Sequence, residues 1–85
     1  MKLIRTQRFL DDYRKLPAEG QKQADRKLQY LAANVGHPSL RVKRVRNYEA
    51  VYQGSINMDY RFLFLITSQG YLLLQIGRHD ILQES

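Results

Sequence analysis

Arg78, His79 and Asp80 stand consecutively after an apolar run, Tyr71 to Ile76, and a single glycine, Gly77. Histidine is the side chain whose ordinary pKa, near ~6.5, lets it give or take a proton at neutral pH. Arginine grips phosphate oxygens through a two-pronged fork. A carboxylate beside them can orient the imidazole or act as a base. A rigid strand that ends in three such groups is a common way to build a site, and a plain polar turn is the structural alternative. Two further groups of polar residues stand out. Asp59 and Arg61 flank Tyr60, and Arg41, Lys43, Arg44 and Arg46 interleave with Val42 and Val45.

The spacing of apolar residues predicts the elements that must position these groups. Lys2 to Arg5 suits a first strand. Thr6 suits the N-cap of a helix reaching about Leu16, with Phe9, Leu10, Tyr13 and Leu16 on one face. Pro17 ends that helix and opens a second, from about Ala18 to Asn34. Its stripe is Ala24, Leu28, Leu31, Ala32 and Val35, with Gly36 as the C′ residue and Pro38 beyond it. Gln21, Lys22, Asp25, Arg26, Lys27 and Gln29 form the wet side of this second helix, and His37 reads as a turn residue.

From Leu40 to Arg46 the chain becomes extended, and Asn47 to Glu49 make a turn. Strands follow at about Ala50 to Asn57, Asp59 to Ile66 and Tyr71 to Ile76, the last two joined by Ser68-Gln69-Gly70. The run Tyr71 to Ile76 is short enough that its length alone does not exclude a helix. Alternation puts Tyr60, Phe62, Phe64 and Ile66 on one sheet face, and Asp59, Arg61, Leu63 and Leu65 on the other. The expected fold is therefore α+β: a two-helix hairpin packed on one face of a mainly antiparallel four-stranded sheet. No repeat or linker divides the 85 residues, so one domain is expected.

Antiparallel pairing across Ser68-Gln69-Gly70 carries Asp59 and Arg61 to the far end of the last strand. Asp59, Arg61, Arg78 and His79 then share one neighbourhood. Such a set suits cleavage of RNA, which brings its own nucleophile, the 2′-OH. That reaction needs a base for the 2′ proton, cations for the phosphorane and an acid for the 5′ oxygen. It requires neither a metal nor another cofactor. His79 fits either proton-transfer role, Arg61 the phosphate, and Arg78 adds positive charge. Asp59 or Asp80 would orient the imidazole or serve as base. The basic segment Arg41, Lys43, Arg44 and Arg46 would hold the RNA backbone, with Tyr48, Tyr52 or Tyr60 available for base stacking. The structural alternatives are an Arg61 ion pair with Asp59 or Asp80, and a charged edge that discourages strand addition.

Composition narrows the class. A net charge of +6 on so small a chain favours polyanions, either nucleic acid or an acidic protein partner. A hydrophobic content of 44% is that of a globular chain. There is no cysteine, so thiolate chemistry and disulfides are excluded, and a reducing cytoplasm is the expected setting. Two histidines fall short of a conventional zinc set. The charged N-terminal segment is unlike a signal peptide, and no run approaches the ~18 apolar residues of a membrane span.

Three segments together resemble the RelE/ParE superfamily of toxins from toxin–antitoxin systems. They are His37-Pro38 to Arg46, Asn57-Met58-Asp59-Tyr60-Arg61-Phe62-Leu63-Phe64, and Ile76-Gly77-Arg78-His79-Asp80. The resemblance spans nearly the whole chain. It implies a microbial-ribonuclease-like fold, ribosome-dependent cleavage of mRNA, and neutralisation by an acidic antitoxin. It makes Arg61 the arginine of the family's Tyr-Arg motif, which holds the scissile phosphate. It puts His79 where members carry an acid or transition-state residue. Asp59 falls where one branch has a functional aspartate, and His37 aligns loosely with a histidine of that branch. RelE has two lysines on the strand before Tyr-Arg, and Gln53 and Ser55 occupy those substrate-binding positions here. The tyrosine that many members carry after the C-terminal His or Arg is replaced near Gln83. These departures keep a second reading open: a non-catalytic ParE-like gyrase inhibitor, or a protein that binds only an antitoxin or RNA.

Overall fold

A computed structural model describes residues 1–78. The chain runs β1 (Leu3–Arg5), α1 (Gln7–Arg14), α2 (Ala18–Ala33), a 3-10 turn (Pro38–Leu40), β2 (Lys43–Arg44), β3 (Val51–Ser55), β4 (Tyr60–Thr67) and β5 (Gly70–Arg78). The sheet order is β1-β5-β4-β3-β2, with β1 parallel to β5 and every other pair antiparallel. The α+β architecture and the helix hairpin are as expected. The sheet has five strands rather than four, because Lys43 and Arg44 pair with Gln53 and Tyr52 at its edge.

Thr6 is the joint between sheet and helix. Its Oγ1 accepts from Phe9 N at 3.2 Å, capping α1, while its hydroxyl donates to Leu73 O at 2.8 Å. Pro17 opens α2 as expected. Gly36 does not close that helix in a left-handed conformation. Asn34 takes an extended conformation instead, and its Oδ1 accepts from Gly36 N at 3.0 Å.

Both helices lie on one sheet face. Phe9, Leu16, Ala24, Leu28 and Leu31 bury against Phe62, Phe64, Tyr71, Leu73 and Ile76, with Leu40 and Ile56 closing the end. The Phe64 and Tyr71 rings meet edge to face at 5.7 Å. Two glycines are fixed by close approach. A Cβ on Gly54 would run into the Phe62 ring, and Gly70, at φ +147°, abuts Lys2 O.

One irregularity governs everything downstream. Leu63 pairs with Gln75 but Phe64 pairs with Leu73, so Leu74 is an extra residue in β5. Without this bulge Ile76 would sit opposite Arg61, on the outer face. With it, Ile76 turns into the core at 3% exposure. Ile66, expected beside Phe62 and Phe64, is 47% exposed at the far end of β4, past the reach of the helices. Leu63 is buried although it points away from the helices. It lies under Val45, Tyr48, Val51 and Leu74, the turn after β2 being held by Val45 N donating to Val51 O at 2.8 Å. Among the described residues no helix is long and apolar enough to cross a membrane.

Candidate functional site

Arg61 stands near the start of β4, opposite Ser55 on one side and Gly77 on the other. The turn before it, residues 56–59, is tightly organised. Asn57 Oδ1 accepts from Asp59 N at 2.8 Å and from Tyr60 N at 2.9 Å, and Asn57 Nδ2 donates to Gln23 Oε1 on α2. Arg61 Nη1 donates to Asn57 O and, at 3.0 Å, to Tyr60 O. A guanidinium has five N–H donors. With Nη1 committed to two carbonyls, the Nε and Nη2 edge, the one that grips a phosphate bidentately, has no partner among the described residues.

Arg61 lines a cleft of about 310 Å³ where α2, the 3-10 turn and the β3–β4 turn meet. Lys27, Arg41 and Arg61 supply three cations to its wall, Ser39, Ser55 and Asn57 supply polar groups, and no carboxylate among the described residues lines it. Lys27 Nζ donates to Ser39 O at 3.2 Å, which ties α2 to the turn that carries Arg41. Arg41 itself is left-handed at φ +48°. Behind this turn His37 stacks on Tyr30, with centroids 4.1 Å apart, and its Nδ1 lies 2.9 Å from Ser39 Oγ. Three cations converging without a counter-charge among the described residues make a site for an anion.

Directly opposed residues in an antiparallel pair share a face. Lys43, Gln53, Leu63 and Gln75 therefore form one row across the outer face, and Ser55, Arg61 and Gly77 form the next. Arg44 pairs with Tyr52 and so lies on the helix side. Arg78 pairs with Tyr60 and does the same, because the bulge at Leu74 moves it off the Arg61 face. The expected pairing does bring Arg61 and Arg78 to one neighbourhood, but the bulge turns them apart. They share a strand end but sit on opposite faces. Asp59 is exposed in the turn two residues before Arg61, and Arg46 is exposed in the turn after β2. The basic segment is a strand only at Lys43 and Arg44, since Arg41's left-handed backbone breaks the extended run. His79 and Asp80 lie outside the described residues.

Lys27, Ser39 and Asn57 were not singled out as site residues by sequence reasoning. Lys27 reads as one of many wet residues on α2, and nothing in its spacing distinguishes it. Asn57, followed by Met-Asp before a strand, carries the signature of a side-chain-capped turn.

No protein-family model matches the chain, and no curated protein matches it. Solved structures do. A copper-bound mutant toxin from Helicobacter pylori is 20% identical, with a TM-score of 0.80 over 96% of this chain and 98% of its own. YafQ from E. coli is 10% identical at a TM-score of 0.80, over 95% of this chain and 96% of its own. RelE in the RelB-RelE antitoxin-toxin complex from Methanococcus jannaschii is 11% identical at 0.74, over 95% of each chain. What such identities share is architecture, and the architecture of this chain is the RelE/ParE-type toxin fold.

Proposed function

We propose that the protein is the toxin of a toxin–antitoxin pair and cleaves mRNA on the ribosome, in the cytoplasm, by attack of the 2′-OH on the adjacent phosphorus. The observation that carries this reading is the anchored guanidinium of Arg61 in a cleft lined by three cations and, among the described residues, no carboxylate. In the proposed reaction a base removes the 2′ proton as the 2′ oxygen bonds to phosphorus. The Nε and Nη2 edge of Arg61 holds the non-bridging oxygens as their charge grows, and the 5′ oxygen leaves with a proton from the acid. His79, next in the chain after β5, takes a proton-transfer role, with Asp59 or Asp80 as its partner. Lys43, Gln53 and Ser55 extend the RNA contact along the outer face, where they share rows with Leu63 and Arg61. RelE is solved with RelB and YafQ with DinJ, and by likeness an acidic antitoxin is the expected partner here.

Induced expression tests this. Wild type should arrest growth and give translation-dependent cuts in a reporter mRNA by primer extension. Arg61→Ala should cut at least about a hundredfold more slowly, the usual cost of removing one donor to transition-state charge. His79→Ala should abolish the cuts as well. A second reading, a ParE-like inhibitor or a protein that only binds its antitoxin, is favoured by one observation: neutral Gln53 and Ser55 on β3. Arrest with intact mRNA would establish it over the first.

A further inference from the structure

Arg78 belongs to a different cleft from Arg61. On the helix side of the same strand end, α1 and the last turn of β5 enclose a groove of about 300 Å³. Among the described residues, Arg8, Lys15 and Arg78 bring three cations to it, against one carboxylate, Asp12. That carboxylate is already engaged. Arg8 Nε donates to both its oxygens, at 3.1 and 3.2 Å, and Ile76 N donates to Oδ2 at 3.3 Å. Asp12 thereby closes the backbone edge of β5 beyond the reach of the short strand β1, and leaves Lys15 and Arg78 uncompensated among the described residues. Tyr60 forms part of the wall, its ring packed on the core. Gln75, though in the outer-face row of β5, also lines the groove, its Oε1 accepting from Arg8 Nη2 at 3.5 Å and its amide nitrogen left to donate.

The geometry points to this α1–β5 groove as a second binding site, for the backbone and one base of a single-stranded nucleic acid. Cations beside a fixed aromatic ring are the combination that binds single strands, since the cations take phosphates and the ring takes a base face. An acidic peptide would use the cations and Gln75 but brings no base face for Tyr60. The groove shares no lining residue with the cleft assigned to cleavage. Its ligand is therefore a second stretch of nucleic acid and not the scissile dinucleotide.

The test uses the full chain and a fluorescein-labelled, 2′-O-methylated single-stranded RNA, read by anisotropy. This strand lacks the 2′-OH nucleophile, so the result is independent of whether the protein cleaves RNA. Lys15→Gln, an exposed change that spares the core, should lower the slope of log affinity against log salt by about 0.7, the value of one phosphate contact on a single strand. Tyr60→Leu should weaken binding about tenfold, the middle of the range for one stacked base. Arg61→Ala combined with Lys15→Gln should lose the two contributions additively, as for separate sites. Binding by both groove variants indistinguishable from wild type would overturn the assignment, most plainly if Arg61→Ala alone weakened it. Equally potent displacement by polyglutamate, with Tyr60→Leu unchanged, would overturn the choice of nucleic acid and make the groove a seat for an acidic protein segment.

Discussion

At the residue scale, Arg61 is distinguished by its shape as much as its charge. Its Nη1 is consumed by the carbonyls of Asn57 and Tyr60, so the remaining three N–H groups have a fixed direction. A lysine would keep the charge and lose both the anchor and the fork. Arg61→Lys should therefore lose nearly as much of the cleavage proposed above as Arg61→Ala, measured on the same reporter mRNA. Tyr13 poses a different question. Its hydroxyl donates to Asp25 Oδ1 at 2.8 Å and joins α1 to α2. Burial raises its pKa, and the hydrogen bond and negative charge of Asp25 raise it further, against a smaller opposing effect from Arg5. A phenol with a raised folded pKa contributes stability that is fully present below the unfolded value, near ~10, and is lost as pH rises through the folded value. Thermal melts at rising alkaline pH should show this loss in wild type and less of it in Tyr13→Phe.

At the scale of elements, β3 and β4 lock through Gly54 and Phe62. Gly54→Ala leaves the Phe62 ring no room, and overpacking of this kind costs about 1–3 kcal/mol. Urea unfolding should show that loss, and Gly54→Ala with Phe62→Leu should be less destabilised than the two single changes summed. Most elements were legible in the sequence because their signals are local. Thr6 before an apolar stripe, Pro17 between two helices and Ser68-Gln69-Gly70 between two strands each announce themselves within a few residues. The cleft was only half legible. Arg61 stands in a recognisable motif, whereas Lys27 enters through the packing of α2 against a turn it meets only in three dimensions. The face of Arg78 was illegible for one reason. The bulge at Leu74 sits inside the run Leu72-Leu73-Leu74, where one extra leucine leaves no trace in the pattern yet reverses every side chain after it. Burial of Ile76 is the gain that sets this register.

At the scale of the whole molecule, the sheet order puts β5 between β1 and β4, so the last described strand holds the two halves of the sheet together. A chain ending after Thr67 would lack Tyr71, Leu73 and Ile76 from the core and β5, the partner of β1 among the described residues. Such a chain should give a far-ultraviolet circular dichroism spectrum without the native helix content and should show no cooperative melt. The joint at Thr6 extends this to the timing of synthesis. Its hydrogen bond to Leu73 spans 67 residues, so the first helix cannot be seated until nearly the whole described chain exists. Ribosomes add about 5–20 residues per second, and contacts of such long separation also slow folding itself. The nascent chain therefore passes its seconds of synthesis with neither cationic cleft assembled. Any molecule that reads those clefts meets them only once β5 has been made.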